Sequence, residues 1–195
     1  MMTRIHSFAL LGATALIGAS LAVSPALAGG MKADRQQHPA VQQQALTAQN
    51  FVMYAGNADL FQTEASKIAT QRAQSSEVKV YAKEMASQHA SATTRLTSAA
   101  RQAGITPATP MLTPHMQQKL TELRNTSTTA FDERYITLLQ EAQERELRLH
   151  NAYARSGDNA TLRAASSDTA KVVAQHLAEV QRISGSIVAD RPAGS

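Results

Sequence analysis

The sequence predicts an all-α protein of four long helices, and three features carry that prediction. Ala, Gln, Glu, Arg and Leu dominate residues 47–188 and β-branched alternation is absent, which favours helix throughout. Apolar residues recur at helical spacings of three and four. Punctuation supplies the rest: a short polar link near Gln74, Gly157, and a proline-bearing stretch from Gly104 to Pro114 divide the chain into two helical hairpins and a connection.

The first helix is expected from about Thr47 to Ala73, with Phe51, Tyr54, Ala55, Ala58, Ala65 and Ala69 inward. Ser75 or Ser76 caps the second, which presents Val78, Tyr81, Met85, Ala92, Leu96 and Ala99 and stops at Gly104. So short a link makes the two antiparallel neighbours. Pro107, Pro110 and Pro114 exclude a helix through the next segment, and Thr113-Pro114 then reads as an N-cap and N1 proline opening a short helix to about Arg124. A third long helix spans about Thr128 to Arg155, with Phe131, Tyr135, Leu139, Ala142, Leu149 and Tyr153 on one face. Gly157 ends it, Asp158 caps the next, and the fourth runs to about Val188. Two antiparallel helical hairpins joined by a proline-bearing crossover with a short extra helix describe a ferritin-like four-helix bundle.

The bundle occupies residues 47–188. Residues 1–28 read as a secretory signal: Met1, Met2, Thr3 and Arg4 form a basic start, sixteen largely apolar residues run from Phe8 to Val23, and Pro25-Ala26-Leu27-Ala28 ends in an A-x-A cleavage site. That apolar run is too short to span a bilayer comfortably. Cleavage after Ala28 leaves 167 of 195 residues, with a glutamine-rich flexible leader at 29–46 and a flexible tail at 189–195. The expectation is a soluble periplasmic or secreted domain without stable membrane insertion. Zero cysteines exclude disulfides, thiolate metal sites and a cysteine nucleophile. Loss of Arg4 lowers the net charge from +4 to +3, and the cations are scattered among few aromatics, so a nucleic-acid groove is not expected.

The informative residues are polar ones on apolar stripes. Gln62 lies on the stripe of the first helix; Gln88 and His89 straddle that of the second. Glu146 sits between Ala142 and Leu149, flanked by Gln143 and His150. On the fourth helix His176 is centred among Leu162, Val172, Val173, Val180 and Ile183, with Glu179 beside it. Counted from Gly157, Glu146 is eleven residues away and His176 nineteen, which places His176 a turn or more below the others unless the fourth helix is kinked or starts late.

Phe51-Val52-Met53-Tyr54-Ala55, Val78-Lys79-Val80-Tyr81-Ala82-Lys83-Glu84-Met85 leading to His89, Phe131-Asp132-Glu133-Arg134-Tyr135, and His176-Leu177-Ala178 together resemble the bacterial exported family named domain of unknown function 4142. The resemblance covers about Thr47 to Ile183 and implies a ferritin-like bundle in the periplasm or at the cell surface, without an assigned activity. It also implies an acidic residue at Gln62, an Asp-His pair at Gln88-His89, a histidine at Gln143 and a small apolar residue at Glu146. This chain has neutral amides at three of those places.

A ferritin-like di-iron centre needs a Glu-x-x-His on each of two helices, but Ala86 stands three before His89 and Val173 three before His176. The expected function is therefore non-catalytic, through binding or envelope maintenance under stress, with no resident cofactor and with Gln62, Gln88 and Gln143 in an interior polar layer. The alternative is a degenerate mononuclear site for iron, manganese or zinc built from His89, His176 and Glu146, with His150 able to replace His176. An envelope protein partner at the leader or crossover is a third reading. Met111 to Met116 offers only loosely placed soft ligands, and no nucleophile elbow or phosphate-binding glycine motif occurs.

Overall fold

The computed structural model describes residues 46–189; the expected signal, nearly all of the leader, and tail residues 190–195 lie outside them. The described residues are helical, with no strand among them: α1 (Ala48–Arg72), α2 (Ser76–Gln102), α3 (Pro114–Asn125), a 3-10 turn (Thr128–Ala130), α4 (Phe131–Ser156) and α5 (Ala160–Ala189). None of these helices is long and apolar enough to cross a membrane.

Local chemistry sets most boundaries. The hydroxyls of Thr47, Ser75 and Thr113 accept from the backbone N–H three residues on, satisfying helix-start donors that would otherwise lack partners. At the end of α2, Gly104 takes φ +76° while its N–H reaches the Arg101 carbonyl and that of Ile105 the Ala100 carbonyl, a Schellman closure. The cap of α5 differs from expectation. Asn159, not Asp158, accepts from Leu162 N (3.1 Å), because the Asp158 carboxylate is taken by the Tyr153 hydroxyl at 2.9 Å.

The crossover is tied at both ends. Asp132, opening α4, accepts from Gln74 N and Ser75 N in the α1–α2 link (2.9 and 2.7 Å). At the opposite end Asn159 donates to the Ala103 carbonyl. Hence α1 and α5 run one way and α2 and α4 the other. The long helices close a ring of neighbours, α1 on α2, α2 on α5, α5 on α4 and α4 on α1, with α3 lying across α1 and α4.

That ring rotates the buried arc of α1. Val52 and Phe61 are buried, whereas Tyr54, expected inward, is 48% exposed, and Ala58 is only half-buried. Ala92, Leu96 and Ala99 of α2 and Leu149 of α4 are also half-buried. The apolar core forms two clusters. One holds Phe61, Met85, Phe131, Tyr135, Leu139 and Ile183; the other holds Phe51, Val52, Ala100, Tyr153 and Leu162. Between them in the order of every long helix fall Asp59, His89, Glu146, His150 and His176, all buried, with the buried Gln62 just beyond Phe61.

Candidate metal centre

Three helices deliver acid and imidazole to one point. Asp59 of α1, His89 of α2 and Glu146 of α4, all buried, each offer a donor atom, and those atoms lie within 4.8 Å of one another. Asp59 Oδ1 is 2.9 Å from His89 Nδ1, and Glu146 Oε2 is 4.0 Å from the same nitrogen. Thr93 donates to Asp59 Oδ2 (3.4 Å) and Gln62 Nε2 to Glu146 Oε2 (2.5 Å). Among the described residues, His89 Nε2 is buried without a hydrogen-bond partner.

His150 stands at the edge of this group. The Ser166 hydroxyl spends its proton on the His150 carbonyl (3.0 Å), so at 3.1 Å it accepts from His150 Nδ1–H. That tautomer leaves the Nε2 lone pair free, 3.7 Å from Glu146 Oε1. His176 is placed otherwise than the alternative reading required. Its Nε2 donates to Gln88 Oε1 (2.5 Å), its ring meets that of His89 edge-on at 5.6 Å, and it contributes no donor to the three-residue group. The expected depth offset does not prevent it from reaching the level of Gln88 and His89.

The polar layer is thus three hydrogen-bonded sets. Gln62 serves Glu146; Gln88 joins His176 to Glu84; Gln143 donates to the Tyr81 hydroxyl at 2.8 Å. Asp59 is the residue that the sequence reading missed. It lies one turn before Gln62 and one turn after Ala55, a spacing that marks the buried face, but an acid at a stripe's flank reads as solvated until the facing helix is known.

Burial raises the Asp59 carboxyl above its ordinary value, against the pull of its His89 hydrogen bond. Burial raises Glu146 as well, with charge on His89 opposing and Asp59 adding. For His89, burial is the largest influence and lowers it, but Glu146 and Asp59 together outweigh burial and the net shift is upward. Burial lowers His150, and it lowers His176 to about 4, so both are neutral at pH 7.

The model of the family described as Domain of unknown function (DUF4142) matches residues 33–183. The chain belongs to the DUF4142 family. No curated protein and no solved structure matches it. At Gln62, where the resemblance implies an acid, the chain places a hydrogen-bond donor to Glu146, and an acid, Asp59, stands one turn earlier.

Proposed function

We propose that this DUF4142 protein is an exported, non-catalytic, ferritin-like bundle whose role in the cell envelope is to bind one divalent metal ion through Asp59, His89 and Glu146. The observation that carries the reading is the convergence of two carboxylates and an imidazole from three helices within 4.8 Å. Donors to one ion at about 2.0–2.2 Å stand no more than about 4 Å apart, so a small contraction brings these three into range.

The donor chemistry fits. Oxygen and imidazole donors suit zinc, iron or manganese. Burial raises both carboxyls and the two acids raise His89, so protons held in the group would leave as a divalent cation binds, whose charge would cancel that of the two carboxylates. His89 Nδ1 faces both carboxylates, so binding exchanges its proton for metal, and affinity falls as pH falls. His150 Nε2 is the nearest further donor.

The opposed directions of α1 with α5 and α2 with α4, together with the long crossover, support the ferritin-like reading. Residues 1–28 support export. The absence of Glu-x-x-His before His89 and His176 supports binding rather than di-iron turnover.

Equilibrium dialysis of residues 29–195 against Zn²⁺, Mn²⁺ and Fe²⁺ tests the proposal. Retention of about one ion per chain is expected, with affinity at least about tenfold lower in Asp59→Asn and in Glu146→Gln. No retained ion, or retention unchanged in both variants, sinks it.

A further inference from the structure

A cavity of about 570 Å³ opens between α2 and α5, and its floor includes Asp59 and His150. Its size falls in the range of small-molecule sites, about 300–1,000 Å³. It exists because the facing residues are small: Ser87, Ser91 and Ala92 on α2 meet Ala165, Ser166 and Thr169 on α5, and between His89 and Ala100 no residue of α2 is fully buried. Phe51, Leu96 and Val172 give it an apolar wall.

The charges around the cavity are unequal. Asp168 is paired with Lys171 Nζ at 2.8 Å. Asp59 has both oxygens engaged, by His89 and Thr93. Arg95 lines the same cavity with no hydrogen bond or ion pair among the described residues. The wall charge without a hydrogen bond or ion pair among the described residues is therefore a guanidinium, whose fork of N–H donors matches a carboxylate.

We propose that this cavity is a binding site for a small monocarboxylate, its apolar body against Phe51, Leu96 and Val172 and its carboxylate on Arg95. A doubly charged anion is disfavoured, since it would meet a single cation and, at the floor, the Asp59 carboxyl. An amine would face Arg95 and would have to compete with Lys171 for Asp168. The site does not depend on metal, so its test separates from that of the metal centre.

The test titrates residues 29–195, stripped with EDTA, with 2-naphthoate, 2-naphthol and 1-naphthylmethylammonium by fluorescence anisotropy. Naphthoate is expected to bind at least about tenfold more tightly than the other two. Arg95→Gln, at an exposed position that leaves the core intact, is expected to reduce naphthoate to the level of naphthol. Ala92→Phe, which fills the cavity, is expected to weaken all three, with circular dichroism confirming the fold. Naphthoate binding no better than the ammonium or the naphthol, an Arg95→Gln variant that keeps the preference, or no binding at all overturns the proposal.

Discussion

Glu146 concentrates the conflict in the interior. Its carboxyl is fully buried, takes Gln62 Nε2 at 2.5 Å, and faces His89 and His150 at 4.0 and 3.7 Å. Because burial raises its folded pKa above the unfolded value, the folded state holds protons that the unfolded state has lost, and this term favours folding less as pH rises. Glu146→Gln keeps the shape and removes the charge. The metal-free variant should melt no lower than the parent at pH 7, while metal affinity falls; calorimetric melting with and without metal checks both halves. His176 has the opposite linkage. Its folded pKa of about 4 lies below the unfolded value, so stability is intact above about 6.5 and is lost as pH falls toward 4. Urea titrations of EDTA-stripped protein between pH 7 and 4 should show the parent losing stability relative to His176→Gln, with equal slopes contradicting a buried neutral imidazole. His89, Glu146 and His150 were legible because a polar group on an apolar stripe stands out from its own helix. Asp59 was not, since its burial is decided by Thr93 and His89 on the facing helix.

At the scale of elements, Arg72 holds the first hairpin and the crossover in register. Arg72 ends α1 by donating to the carbonyls of Leu123, Arg124 and Thr126 and lies over the Phe131 ring at 4.7 Å, so one side chain fastens the end of α3 and the start of α4. A lysine cannot present a planar fork to three acceptors. Arg72→Lys should cost about 1–3 kcal/mol, read as a lower urea midpoint at unchanged m-value. Gly157 is required for space rather than for φ: a Cβ there would lie 2.6 Å from two ring atoms of Tyr153 and 2.7 Å from its carbonyl oxygen. Gly157→Ala should destabilise by about 1–3 kcal/mol. Gly185→Ala, where a Cβ meets nothing within 4 Å near the C-terminal end of α5, should stabilise by up to about 0.5–1 kcal/mol. The cap at Thr113, and that of α2 as one of Ser75 and Ser76, were legible because capping is local. The cap of α5 was not, because Asp158 and Asn159 are both competent and the Tyr153 hydroxyl decides between them.

Across the whole molecule, the layer of acids, amides and imidazoles divides the apolar core into its two clusters and leaves the seam between α2 and α5 open to the cavity. Helix number, order and pairing followed from periodicity and link length. The grouping within the layer did not, because which side chains meet depends on the rotation of each helix about its axis, and the buried face of α1 turned away from Tyr54 toward Val52. A cation bound to the folded layer alone would stabilise the molecule by mass action, by about 2.7 kcal/mol at one hundred times its dissociation constant. The most direct measurement is a crystal structure of metal-loaded residues 29–195 with anomalous data collected at the edge of the bound metal. One anomalous peak among Asp59, His89 and Glu146 is the result expected from the convergence of these donors. A peak elsewhere, such as beside the exposed acids near His176, or no peak in loaded crystals, would contradict it.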